Sequence, residues 1–176
     1  MIRTRLQIAA AVLILALVGA SIALASAGRA TDDDDNGFGA RLKGFNEVPA
    51  INTAGRAQLT FTMTSTQIAF KLVYTGLSGP PAAAHIHVGQ KNVNGGVSVF
   101  FCGGGGQAAC PAATSGTVSG TITAANVVGP TAQGFSVGDL ASVERAIKAG
   151  VTYANMHTAN FPGGEIRGQI RGGDDD

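Results

Sequence analysis

Val151-Thr-Tyr-Ala-Asn-Met-His157 and Glu165-Ile-Arg-Gly-Gln-Ile-Arg171, joined by Thr158-Ala-Asn-Phe-Pro-Gly-Gly164, form the stretch whose reading decides the fold. Each arm alternates with period two, and the linker holds Asn160, Pro162, Gly163 and Gly164, so the stretch predicts a β-hairpin. In the first arm Ala154 and Met156 face one way, while Tyr153, Asn155 and His157 face the other. In the second, Ile166, Gly168 and Ile170 alternate with Glu165, Arg167 and Gln169. One face of the hairpin is apolar. The opposite face carries a histidine, a carboxylate and a guanidinium.

Working outward, the same alternation recurs. Gly37–Lys43, Gly55–Met63, Gln67–Thr75, Ala83–Gly89 and Gly116–Thr123 each set apolar side chains against polar or small ones, and Val97–Cys102 reads as a further strand after the Asn94-Gly-Gly96 turn. Phe45-Asn-Glu-Val-Pro49 leaves the sheet after the first of these, and Pro80 and Pro81 break the pattern before the fourth. Asp139–Ala149 departs from it, with Leu140, Val143 and Ile147 at helical spacing, Ser136 and Asp139 as caps, and Gly150 as a stop. The expected fold is therefore all-β: an antiparallel Greek-key-like β-sandwich or flattened barrel of about seven to eight strands, with one short crossover helix.

The ends of the chain differ from its middle. Arg3 and Arg5 precede an apolar run from Ile8 to Leu24 and then tandem small residues through Ala27, the pattern of an export signal; an uncleaved N-terminal membrane anchor is the alternative. The implied organisation is a signal peptide or anchor at 1–27, an acidic disordered linker at 28–37, a β-domain at 38–172 and an acidic tail at 173–176. On either alternative the domain sits outside the cytoplasm, extracellular or in the cell envelope, and touches a membrane only through a retained N-terminal segment.

Asp32–Asp35 and Asp174–Asp176 account for seven of the eleven acidic residues. From Arg41 to Arg171, nine Lys and Arg face only Glu47, Asp139, Glu144 and Glu165, which leaves the domain about five charges positive. These basic residues are scattered and not interleaved with aromatics, so nucleic acid is not the expected partner. Cys102 and Cys110 bracket a run of four glycines, and in an exported chain they read as a disulfide closing a small flexible loop.

Three histidines carry the metal-binding chemistry. His85 and His87 lie on one face of one strand, His157 on the polar face of the hairpin. On both strands the other face is apolar, so the imidazoles point away from the core, to solvent or under a loop. If the strands are neighbours, the three converge as a minimal ligand set for Zn²⁺ or Cu²⁺. The alternatives are hydrogen bonds from these rings to a loop, to Glu165 or to Tyr74, and a pH response near the ordinary histidine pKa. Glu165 and Arg167 form either a surface ion pair or, with Arg167 forked onto Glu47 or a main-chain carbonyl, a partly buried one. No nucleophile stands beside a base, and no glycine run precedes a Lys-Ser/Thr pair and a helix, so no enzymatic activity is expected.

Asn46-Glu-Val-Pro49, Ala84-His-Ile-His-Val-Gly89, Asn94-Gly-Gly-Val97, and Tyr153-Ala-Asn-Met-His-Thr158 running into Phe161-Pro-Gly-Gly-Glu-Ile-Arg-Gly-Gln-Ile170 resemble the CHRD (chordin) domain family in order and spacing, over about Arg41 to Arg171. The resemblance implies an extracellular β-sandwich module, with Glu47, Tyr153, Asn155, Glu165 and Arg167 among its motif residues. It implies binding or adhesion through an envelope or extracellular protein or surface ligand, and no established enzyme activity. The insertion between Cys102 and Cys110 is not part of that pattern. The His-x-His strand also resembles the copper-binding strand of Cu/Zn superoxide dismutase. The further histidines and the aspartate of a two-metal site are missing here, so dismutase activity does not follow.

Overall fold

The computed structural model describes residues 37–173; the segments read as export signal, most of the acidic linker and most of the acidic tail lie outside them. Among the described residues nine strands form: β1 (Gly37–Lys43), β2 (Arg56–Met63), β3 (Gln67–Thr75), β4 (Pro81–Val88), β5 (Gly96–Cys102), β6 (Gly116–Thr123), β7 (Thr152–Thr158), β8 (Ile166–Gln169) and β9 (Arg171–Gly172), with helix α1 (Leu140–Lys148) between β6 and β7. Among the described residues no helix is long and apolar enough to cross a membrane.

All the strands belong to one antiparallel sheet, ordered β5-β4-β7-β8-β1-β2-β3-β6, with β9 paired to β1. Alternation makes the sheet one-sided. On β2 and β3 every second residue is buried, and the register sets Leu59 opposite Leu72 and Phe61 opposite Phe70. Burying each such side chain stabilises the fold by about 1.5–3 kcal/mol. Strand twist curls the sheet around that face, until Phe70 on β3 lies 4.8 Å, centroid to centroid, from Phe101 on β5 near the other end of the path. The result is a nearly closed, flattened barrel. It is one continuous sheet rather than two facing ones.

Helix α1 adds Leu140, Val143 and Ile147 to the same core. Asp139 caps it by accepting a hydrogen bond from the Ser142 N–H at 3.0 Å. Ser136 takes no part in that cap; its carbonyl accepts from the Asp139 N–H. Pro81 also departs from expectation, since it opens β4 opposite Thr158. It is tolerated because it is the first residue of its strand and adjoins a break in register before Ala83.

Two features build a second layer outside the barrel. Strand β7 is buried from Thr152 to Met156 without alternation, because loops cover its outward face as the core covers its inward one. The Cys102–Cys110 disulfide is present, but the loop it closes is not loose. Gly104 and Gly105 lie against the Phe100 ring, and a Cβ on Gly104 would come within 2.6 Å of it. The glycines serve close packing here, and Phe100 passes that contact on to His85, its ring centroid 4.9 Å away.

Candidate functional site

The site is the outer face of β4, β7 and β8, a row of residues fixed by register. His85 on β4 pairs with Asn155 on β7, and Asn155 pairs with Arg167 on β8. One step along, His87 pairs with Tyr153, and Tyr153 with Gln169. His157 lies two residues beyond Asn155 on the same face, opposite Ala83. Non-adjacent stretches of sequence therefore meet because β7 threads between β4 and β8.

The three histidines converge. One ring nitrogen from each lies within 4.8 Å of the others, and the centroids of His85 are 4.7 Å from His87 and 4.5 Å from His157. His85 is buried and the other two are half-buried. They sit under loops rather than in solvent. Neither Glu165 nor Tyr74 bonds them: His87 Nδ1 lies 2.8 Å from the Gly95 carbonyl and His157 Nδ1 lies 2.9 Å from the Pro162 carbonyl. A carbonyl only accepts, so both Nδ1 atoms carry the proton and both Nε2 atoms are lone pairs. Those two Nε2 atoms, His85 Nδ1 and the Asn155 Oδ1 oxygen are buried without a hydrogen-bond partner. Burial disfavours the charged imidazolium, and the neighbouring histidines add to the effect on His85. His85 is pushed down to about 3 and His87 to about 4, and His157 is lowered as well. At neutral pH the cluster is a set of uncharged donors.

Around it the motif residues form a frame. Asn155 Nδ2 donates to Glu47 Oε1 at 2.6 Å. Glu47 is buried, and desolvation, against the opposing pull of Arg167 and Asn155, raises its pKa to about 7. Gly164 (φ +124°) closes over that pair, where a Cβ would meet Asn155 Nδ2 at 2.6 Å and Glu47 Oε1 at 2.8 Å. Tyr153 stacks on His87 with centroids 4.6 Å apart and planes 2° from parallel, and the Arg167 guanidinium carbon lies 3.3 Å from the Tyr153 centroid.

Arg167 and Glu165 do not pair with each other. Arg167 donates to Asn94 Oδ1 and to the Gln90 and Val93 carbonyls, so it draws the 90–95 loop over the site and sets the carbonyl that orients His87. Of the alternatives for Arg167, the main-chain carbonyls are its partners. Glu165 is fully buried and accepts from Thr53 Oγ1, Ser78 N–H, Ser78 Oγ and Thr158 Oγ1, all at 2.7–2.8 Å. Burial alone would raise its pKa; these donors outweigh that and hold it below the usual carboxylate range.

Thr53 and Ser78, and Phe100 as a wall of the site, carried no signal in the sequence. Asn94 and Thr158 stood inside the motif segments, Asn94 also in a turn, but no role as a hydrogen-bond partner was legible for either. The sequence model of the CHRD domain matches residues 38–170. No curated protein and no solved structure matches the chain.

Proposed function

The chain belongs to the CHRD domain family, and from that premise we propose that it is an exported, non-enzymatic module that holds one Zn²⁺ or Cu²⁺ ion through His85, His87 and His157. The observation that carries this reading is the meeting of buried, unpartnered polar atoms from three neutral imidazoles: the Nε2 lone pairs of His87 and His157 and the Nδ1 of His85, one nitrogen of each ring lying within 4.8 Å of the others. An unsatisfied buried polar atom costs about 1–3 kcal/mol, so several in one place point to a missing positive partner. Two of the rings are also held by carbonyls on their far nitrogens, the arrangement by which ligating histidines are fixed. Tetrahedral zinc at about 2.0–2.1 Å from each nitrogen needs them roughly 3.4 Å apart, so the rings would close in from a spacing of up to 4.8 Å on binding. Export agrees with the disulfide.

The test is metal content. Full-length protein purified from its own host, and protein stripped with chelator and titrated with Zn²⁺ or Cu²⁺, should each give one ion per chain. Protein that takes up neither ion above the level of a His85/His87/His157 triple alanine variant would end the reading.

A second reading, binding or adhesion at the cell surface, draws on a different feature. A groove along β1, β2, β3 and β6 is lined by Arg41, Lys43, Lys71, Lys91 and Arg171, with no acidic residue in its lining among the described residues. Such a surface suits an anionic partner. Retention on a carboxylated matrix should weaken with salt and fall at least several-fold in Lys71→Glu/Arg171→Glu; equal retention of the variant would exclude the groove.

A further inference from the structure

Asn155 is the residue at the centre of the cluster: cross-strand partner of His85, two residues from His157, and diagonal to His87. Its side chain is 3% exposed. Its Nδ2 is committed to Glu47, which leaves the buried, unpartnered Oδ1 as an acceptor beside the Nε2 lone pairs of His87 and His157 and the unpartnered Nδ1 of His85. Nothing in the frame donates to it. We propose that Asn155 Oδ1 is the fourth ligand of the ion, so that the site is a closed set of three nitrogens and one oxygen, and that Glu47 is a positioning residue that keeps the amide oxygen turned inward.

This inference rests on the metal reading and extends it. A site with four protein ligands leaves no place for substrate, so the ion is structural: it joins β4 and β7, and the loops that orient those side chains, into one unit. Held as a tetrahedron, a set of three nitrogens and one oxygen suits Zn²⁺ better than Cu²⁺, which prefers tetragonal geometry. The opposite amide orientation has a different consequence. With its oxygen on a protonated Glu47 and its –NH₂ on His87 Nε2, Asn155 would be a donor and could not ligate.

The experiment loads chelator-stripped, full-length protein with Co²⁺ alone, as a spectroscopic substitute for zinc. The wild type should show the intense visible bands of a four-coordinate site, unchanged by added azide because no position is open. Asn155→Leu should keep Co²⁺ with about 10–100-fold lower affinity and acquire an azide-dependent spectrum. Asn155→Asp made together with Glu47→Gln, so that the glutamine –NH₂ replaces the donor lost from Asn155, keeps an oxygen ligand and adds a charge; it should bind more tightly than Glu47→Gln alone and remain insensitive to azide. Glu47→Gln should weaken binding less than Asn155→Leu, since its amide can still accept from Asn155 Nδ2 but no longer enforces the orientation.

Wild-type protein that binds Co²⁺ but shifts with azide, with Asn155→Leu unchanged in affinity, would show an open three-histidine site. That would overturn this inference and leave the metal reading standing. Absence of Co²⁺ and Zn²⁺ uptake by folded wild type would overturn the reading itself.

Discussion

Glu165→Ala is expected to cost several kcal/mol of stability, since each buried donor left without an acceptor costs about 1–3 kcal/mol. The carboxylate is fully buried and is the common acceptor for Thr53, Ser78 and Thr158. Those groups come from the loop before β2, the loop before β4, and β7 itself. Alanine leaves their donors facing a void and releases two loops at once. Urea unfolding measures the loss directly. Glu165→Gln should lose less, because its carbonyl oxygen still accepts while its –NH₂ meets donors. The acid branch follows from the depressed folded-state pKa. The contribution is fully present above the ordinary glutamate value of 4.5 and is lost as pH falls through the lower folded value. A wild type and an alanine variant that unfold at the same urea concentration would show that the cluster is not what holds these loops.

His85→Leu is expected to have opposite effects on function and stability. It removes one of three imidazoles and should reduce Zn²⁺ affinity by at least 100-fold, since two neutral histidines are not a complete site. Without metal the same change replaces a buried ring with an unpartnered nitrogen by an apolar side chain of similar size. Stability in chelator should therefore be unchanged or higher, as is usual when a residue is retained for function rather than for folding.

The pH dependence gives a second readout. Groups whose folded pKa is lowered, here to about 3 for His85 and about 4 for His87 against an ordinary 6.5, take up protons in the unfolded chain first. Stability of the metal-free protein should then fall as pH drops from about 6.5 towards 4. Glu47, raised from 4.5 to about 7, acts in the opposite sense: its contribution is complete below 4.5 and lost as pH rises through 7. It is one group against the histidines, so the net slope keeps their sign. His85→Leu should flatten that slope by about one proton. A metal-free wild type whose stability does not change between pH 6.5 and 4 would mean that the rings are not desolvated.

The charged residues of the motifs show where sequence reading stopped. Glu165 and Arg167, two apart on one strand face, suggest mutual pairing, and period-two geometry alone offers nothing against it. In the folded chain each turns to groups more than sixty residues away: Arg167 to Asn94 and the carbonyls beside it, Glu165 to Thr53 and Ser78. The glycines between Cys102 and Cys110 likewise read as slack until Phe100 is placed beneath them.

What the sequence determined by itself was the existence of β1 to β8, the inward face of most of them and the helix between β6 and β7, because alternation and helical spacing are local and have their period written in the chain; that β9 separates from β8, and that Asp139 rather than Ser136 caps the helix, it did not decide. It also determined which residues stand opposite the core, His85, His87, Asn155 and His157 among them. That β7 lies between β4 and β8, and that loops roof this part of the outer face, was decided only by tertiary structure. Strand order and loop cover depend on contacts across the whole chain, and the side chains that make them look polar and exposed until the fold removes their water.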